Sequence, residues 1–374
     1  MIDSQKILDQ FLEVTVIPGI SRQEGQVIDY LKKFLDTLGF GYCEDQSFNQ
    51  FEGESGNLIC KIYNSNRSKK SILLAAHVDT ITLSSERPTV REQKVMSSDD
   101  RILGADDRVG VTVLLEILKL IAAKKIDYPN LEIVFLVAEE VGLLGSKYLD
   151  YSFINAKHAF NLDCSAAVGN AVIEAPSVVD FEIKFIGRDA HSAVAPEKGI
   201  NAITMASEAI NKINLPQKSD HTIFNIGKIH GGIKNNVIPK EVSINGEIRS
   251  FNQSKISEYL NRIEDVAQSV TNLFNGNFKI KHNVRYDSFK LAKDSFVYGI
   301  TEKAVRSAEV PFLPIRYLAG SDANNFNKNH ISCINIGLGY KNNHSSDEYI
   351  EVRDLLKSVE IGARLVHTSA AYVG

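Results

Sequence analysis

The chain has 374 residues, is 44% apolar and 24% charged, and carries a net charge of −4. That length suits two domains better than one core, and the mild negative balance excludes the basic footprint of a nucleic-acid or membrane-surface binder. No apolar run approaches the roughly 18 residues needed to cross a bilayer, and the opening MIDSQKILDQFLEV lacks the basic-then-apolar order of a signal peptide. Cys43, Cys60, Cys164 and Cys333 are widely spaced with no C-x-x-C. They are expected to be reduced, mostly buried thiols of a cytoplasmic protein.

Ser21-Arg22-Gln23-Glu24 has the pattern of a capping box, and a helix is expected from there to Leu38, stopped by Gly39. Strands are expected near 41–48 and 57–63. A third strand, SILLAA over 71–76, is a short continuous apolar run, as in a strand buried on both faces. It ends in His77-Val78-Asp79, and on an extended chain residues two apart point the same way. Residues 84–103 read as polar and irregular. From 107 to 125, Val109, Val113, Leu114, Ile117, Leu118 and Ile121 recur at helical spacing, so an amphipathic helix is expected with Asp106 and Asp107 at its start. Leu131 to Ala138 is another buried strand, ending in Glu139-Glu140, and His158 to Leu162 leads to Asp163. Apolar strands separated by helices that each deliver an acid or histidine at their carboxyl ends define an α/β domain. Its sheet is mixed and parallel-rich, flanked by helices, with one polar site along its rim.

From about Pro176 the pattern changes. Residues 178–187 alternate, 199–213 are helical, 221–230 and 237–249 read as strands, 254–274 as a helix, and 277–287 alternate again. This β-α-β-β-α-β order is that of a ferredoxin-like α+β unit. Helix 294–308, strand 331–338 and helix 352–369 then return to the first style. The expected division is 1–176 and 290–374 for the catalytic domain, with 177–289 inserted.

The polar strand exits collect His77, Asp79, Asp106, Glu139, Glu140 and Asp163. His344, in the loop YKNNHSSDE, joins them. Five carboxylates and two histidines at one cleft would repel at low dielectric. Divalent metal ions resolve the repulsion: three ligating carboxylates and two neutral imidazoles suit two Zn²⁺ ions that share one carboxylate. Asp79, so close to His77, suits the carboxylate that fixes the tautomer of a metal-bound imidazole.

HVD, GADDRVG, VAEEVGLLGS, NLDCS, GRDAHSAVAPEKGINAI, GGIKNNVIP, GEIRS, GSDANNF and the late His344 together resemble the co-catalytic dinuclear zinc peptidases and amidohydrolases. That family includes peptidase T, the carboxypeptidase G type, acetylornithine deacetylase and succinyl-diaminopimelate desuccinylase, and the chain looks most like the peptidase T branch. The resemblance covers nearly the whole chain. It implies that Asp106 bridges two metals, with His77 and Asp163 completing one site and Glu140 and His344 the other. Zn²⁺ is the expected metal, with Co²⁺ and Mn²⁺ as alternatives. Glu139 would be the general base, Asp79 would orient His77, and the Asp106–Asp107 bond would be cis. His191 matches the family's lid histidine, which stabilises the oxyanion and in dimeric relatives comes from the partner subunit. Asn236 (or Asn235), Arg249 and the backbone of Gly320-Ser321 match substrate-binding positions. The implied activity is release of the N-terminal residue from a short peptide by a cytoplasmic enzyme; relatives either pair through the lid domain into a homodimer or remain monomers, and both states stay open for this chain. The alternatives are an N-acyl-amino-acid amidohydrolase, a carboxypeptidase, or a binding protein that has lost catalysis. The other histidines (His158, His221, His230, His282, His330 and His367) read as structural or solvated, and the tyrosines and phenylalanines as without a functional role.

Overall fold

Four of the apolar stretches form the parallel heart of the first sheet. The computed structural model describes residues 3–64, 71–82, 86–216, 218–219 and 221–372. In it the strands Asn130–Leu136, Ser71–His77, His158–Asn161 and Ser332–Ile336 lie side by side and run the same way. Leu58–Ile62 and Tyr42–Glu44 extend one edge antiparallel, and Asn170–Ala175 pairs antiparallel at the other. Ile72 through Ala76 have no exposed surface. Helices Ala105–Ala122, Phe296–Ser307 and Asp322–Lys328 pack on these strands, so alternation is lost and the strands read as continuous apolar runs. Because the four parallel strands end on one rim, the residues that follow them are delivered to one place. No helix among the described residues is long and apolar enough to cross a membrane.

Two expectations about this unit need correction. The helix expected over 107–125 as amphipathic spans Ala105–Ala122 and is buried almost all round as far as Leu118, including Arg108, Thr112 and Glu116. It lies between the sheet and the helices Ser4–Thr15 and Val352–Tyr372, so it has no broad solvent face. The stretch 84–103 is not wholly irregular, although its residues 84 and 85 lie outside the described residues. Thr89–Arg91 and Lys94–Met96 form a hairpin that Tyr349–Glu351 joins as a third strand. Its two turn residues, Glu92 and Gln93, both have positive φ, at 48° and 64°. That is the geometry of a type I′ turn, usually marked by Asn-Gly, and Glu-Gln gives no such signal.

The chain divides into two compact units. One holds residues 1–174, 290–317 and 321–374, and the other 175–289 with 318–320. In the second unit the sheet order is Lys218–Ser219, Thr222–Gly231, Glu241–Ser250, Ser177–Ile186, Asn277–Tyr286, antiparallel throughout. Helices Ala202–Ile213 and Gln253–Phe274 pack on it. Val179, Phe181, Ile183 and Phe185 meet Met205, Ile244, Ile248 and Ile263 in its core. The alternate residues Asp180, Glu182 and Lys184 point the other way, as a half-buried strand requires. This is the ferredoxin-like arrangement that the element order implied.

Within the first unit, Gly110 sets how closely the Ala105–Ala122 helix approaches the strand exits. A Cβ there would fall 2.1 Å from the Leu162 carbonyl oxygen and 2.5 Å from an Asp107 carboxylate oxygen. Gly110→Ala is therefore expected to lower the thermal midpoint by the equivalent of about 1–3 kcal/mol, measurable by calorimetry. An unchanged midpoint would show that the contact is looser than this.

Candidate metal centre

His77 ends its strand with a fully committed ring. Its Nδ1 lies 3.0 Å from the Asp79 carbonyl oxygen and 3.4 Å from Asp79 Oδ1. Its Nε2 faces Asp106 Oδ1 at 3.1 Å and Asp163 Oδ1 at 3.7 Å. Across the site, His344 Nε2 lies 3.3 Å from the other Asp106 oxygen, Oδ2, and 3.0 Å from Glu140 Oε1. The donors thus fall into two sets. One is His77, Asp163 and Asp106 Oδ1; the other is His344, Glu140 and Asp106 Oδ2. Asp106 gives one oxygen to each, from a helix start whose Asp106–Asp107 peptide bond is cis.

Asp107 also lies within ligand distance of His77 and Asp163. Its oxygens, however, accept the N–H groups of His77 (3.3 Å) and Gly110 (3.0 Å). It braces the start of the helix and faces backbone donors.

The charges show what the site is built for. Burial pushes the carboxyls of Asp107, Glu139 and Asp163 well above the usual range, with the neighbouring acids adding to the effect and His77 opposing it. Burial also raises Glu140, against the bond from His344. Burial alone would raise Asp106 as well, but the bonds from His344 and His77 hold it well below the carboxylate range. His344 is lifted to about 10 by its bonds to Asp106 and Glu140. His77 is held well above 6.5 despite burial, chiefly by its bond to Asp106. As bare side chains, then, the acids around Asp106 favour their protonated forms and the imidazoles their positive charge, while Asp106 itself favours its charged form. Cations of higher charge at the same two positions would satisfy acids and neutral imidazoles together, so the donor set fits two divalent ions.

Besides Asp79, the support of this centre comes from residues that carry no evident signal of their own in the sequence. Tyr340, read as a tyrosine without a role, is buried and donates toward Asp106 Oδ1 at 3.1 Å and Asp163 Oδ1 at 3.2 Å. Asn343 Nδ2 donates to Asp106 Oδ2 at 2.8 Å. Glu348 is fully buried, and its two oxygens accept the N–H groups of Gly104 (2.7 Å) and Asp106 (3.0 Å). Asn335 accepts the Asp163 N–H at 3.2 Å and donates to its carbonyl at 2.5 Å. Asp322 is also buried, bonded to the Ser146 hydroxyl, and burial lifts it to about 7. The available signal was the position of Tyr340, Asn343 and Glu348 in one short segment around His344.

The capping box is a correction. Ser21 Oγ donates to Asp79 Oδ2 at 2.7 Å, and Glu24 accepts the N–H groups of Arg22 (2.7 Å) and Ala138 (2.9 Å). Neither side chain caps the helix, which begins at Gly25 with no side-chain cap. Both turn inward because buried N–H groups and the Asp79 carboxylate need partners more than an exposed first turn does.

The remaining proposed residues have the following surroundings. His191 is exposed, and its Nδ1 accepts the Ala193 N–H at 3.2 Å. Asn236 is exposed, and its carbonyl accepts the Ser192 N–H at 3.1 Å. Arg249 does not present an open fork, because its Nε and Nη2 donate to Glu247 at 2.7 and 3.1 Å. The Gly320 N–H is taken by the Tyr286 hydroxyl at 3.0 Å, and the Ser321 N–H by Asn324 Oδ1 at 3.1 Å. The two backbone donors expected at Gly320-Ser321 therefore already have acceptors.

A parallel-rich α/β sheet whose rim holds two donor sets joined by one carboxylate defines the class of dinuclear metallohydrolases. Residues 173–272 match the peptidase dimerisation domain of the M20 type, and residues 85–179 match the M42 glutamyl aminopeptidase family. The chain is 30% identical to the YqjE protein of Bacillus subtilis strain 168 over 371 residues, 99% of this chain and 100% of that one. A tripeptidase from Staphylococcus aureus Mu50 superposes with a TM-score of 0.94 at 28% identity, covering 99% of this chain and 100% of that one. The aminopeptidase PepT of Bacillus cereus ATCC 10987 gives 0.91 at 29%, covering 99% of each. The chain belongs to the M20-type metallopeptidases, in the branch that contains peptidase T.

One prediction follows from the charges. In the metal-free chain the raised carboxyls hold protons that the unfolded chain has released above the ordinary carboxylate range. Stability is therefore lost as pH rises toward their folded values. The raised imidazoles act in the same direction above about pH 6.5, while the depressed Asp106 contributes evenly from mild acid upward. Bound cations remove the loss, so the rise in thermal midpoint on adding Zn²⁺ to chelated protein should be larger near about pH 8 than near about pH 5.5. An equal or smaller rise at the higher pH would contradict this account of the site.

Proposed function

We propose that this chain is a metal-dependent aminopeptidase that releases the N-terminal residue of tripeptides and other short peptides. The observation that carries the reading is Asp106, whose two carboxylate oxygens face two separate donor sets, each completed by one histidine and one further acid. The chain's similarity to the Staphylococcus aureus tripeptidase and the Bacillus cereus aminopeptidase PepT supports the choice of substrate. His77, Asp163 and Asp106 would hold one ion; His344, Glu140 and Asp106 the other. Zn²⁺ is the first choice of metal, and Co²⁺ and Mn²⁺ fit the same donors. When bound, the ions would supply Lewis-acid polarisation of the scissile carbonyl and a lowered pKa for the attacking water.

The protein's own part is proton transfer and positioning. Glu139 takes the proton from the attacking water and returns it to the leaving amine nitrogen. Its backbone is fixed by the bond from its N–H to Asp79 Oδ1 at 2.9 Å, and the same Asp79 orients His77. His191 supplies a donor to the oxyanion, and Asn236 contacts the peptide backbone. Arg249 would read a substrate carboxylate in a carboxypeptidase or deacylase, but its engagement by Glu247 favours the aminopeptidase reading. The match of residues 173–272 to a dimerisation domain supports a homodimer built through the inserted unit. The free thiols support a cytoplasmic setting.

Purified protein is expected to bind two metals per chain and to cleave tripeptides faster than dipeptides or N-acetyl amino acids, with activity lost on chelation and regained with zinc. Preferential cleavage of N-acetyl amino acids would replace the aminopeptidase by the amidohydrolase. Glu139→Gln should keep both metals and lose roughly 10²–10⁴-fold in kcat; wild-type turnover in that variant would remove Glu139 as the base. His191→Ala should fold, keep both metals and lose roughly 10²–10³-fold in kcat, and normal kinetics would leave His191 a loop residue only.

A further inference from the structure

After the strand Asn130–Leu136 the chain turns, and three successive N–H groups leave the sheet. All three are accepted by buried carboxylates. The Ala138 N–H goes to Glu24 Oε1 at 2.9 Å, the Glu139 N–H to Asp79 Oδ1 at 2.9 Å, and the Glu140 N–H to Asp79 Oδ2 at 3.1 Å. Ala138 has φ at 51°, in the left-handed region that a residue with a side chain seldom occupies. Its conformation sets the direction in which Glu139 and Glu140 leave the turn. Glu24 is fully buried and reaches this turn from the start of the Gly25–Leu38 helix. The same oxygen accepts the N–H of Arg22, itself at φ 72°. One carboxylate oxygen thus ties two left-handed residues together.

We propose that Glu24 is a positioning residue for the Glu139–Glu140 pair. By accepting the Ala138 N–H it fixes the turn that aims Glu140 at the His344 donor set, leaving the His77–Asp163 set untouched. The inference rests on the two-metal reading above and adds a residue to it. It separates the two metal positions. Asp79 braces both, through the His77 ring and through the Glu139 and Glu140 N–H groups, whereas the hydrogen bonds of Glu24 among the described residues go to the Ala138 turn and the Arg22 N–H, and none goes to His77, Asp106 or Asp163. Loss of Glu24 should weaken one metal and spare the other. Outer partners of metal ligands are typically worth about 10–100-fold in affinity. The functional atom is a single acceptor oxygen, so an amide should replace the acid.

The test measures Zn²⁺ binding by competition with a chromophoric chelator, alongside kcat and KM on a tripeptide, for wild type, Glu24→Ala, Glu24→Asp and Glu24→Gln. The expected result is that Glu24→Ala weakens the second zinc about 10–100-fold, leaves the first within about threefold, and lowers kcat far more than it raises KM. Glu24→Gln should hold both zincs within about threefold of wild type, even where its thermal midpoint falls. Should Glu24→Ala fail to fold, Glu24→Asp keeps the charge but shortens the reach, and should show the same one-sided loss. Both zincs unaffected in Ala or Asp, both weakened equally, or Gln as poor as Ala would overturn the proposal. Fewer than two zincs on the wild-type chain would overturn the two-metal reading, and Glu24's role with it. Two zincs on wild type with unchanged variants would overturn the role of Glu24 alone.

Discussion

The structure depends on one electrostatic constraint: acids crowded around Asp106 in a buried site. Asp106 is held below the usual carboxylate range while Asp107, Glu139, Glu140 and Asp163 around it are raised. A fold gains nothing by gathering such groups unless cations are to sit among them, since each buried charge costs solvation that only a partner offsets. The parallel strands make the gathering possible. Their shared direction sends His77, Glu139-Glu140 and Asp163 to one rim, and their apolar bodies anchor the backbone from which those side chains project.

Position at a strand end is not enough for a two-ion centre, because a ligand free to rotate would relax away from its like-charged neighbours. The chain answers with a layer of hydrogen bonds behind the donors. The segment from Tyr340 to Glu348 grips Asp106 at four points: the Tyr340 hydroxyl, the Asn343 amide and the His344 ring on its carboxylate, and the Glu348 carboxylate on its N–H. Asn335 clasps Asp163 by both backbone groups. Asp79 holds the His77 ring with one side of the residue and the N–H groups of Glu139 and Glu140 with the other. His77, Asp106, Asp163 and the Glu140 backbone are thereby held from behind.

His77, Glu139, Glu140 and Asp163 were legible as candidates because each stands at or just past the end of an apolar strand. Asp106 and His344 follow no such run, and only the family resemblance singled them out as ligands. Apart from Asp79, which the H-x-D spacing marked, the bracing residues were not legible. Ser21 and Glu24 carry a true local signal for a helix cap, and tertiary contacts override it: the partners Asp79 and Ala138 are 58 and 114 residues away from them. Tyr340 is one of 13 tyrosines, and only its placement between two buried carboxylates sets it apart. The Thr89–Met96 hairpin hid behind a Glu-Gln turn, and the buried Ala105–Ala122 helix behind a periodicity that describes an apolar stripe but not how far burial extends around it.

The inserted unit shows where local chemistry redirects an expectation drawn from a motif. Arg249 looked like a fork waiting for a substrate carboxylate, yet it lies on a sheet face where Glu247, Asp180 and Arg285 pair among themselves: Arg285 binds Asp180 at 2.5 and 3.1 Å while Glu247 takes Arg249. An arginine so placed is held by its own strand, and a substrate carboxylate would have to outcompete a bidentate acid already in position. With Arg249 already engaged by Glu247, the inserted unit presents no open fork at this position, and that is the physical ground for reading N-terminal cleavage in preference to capture of a substrate carboxylate here.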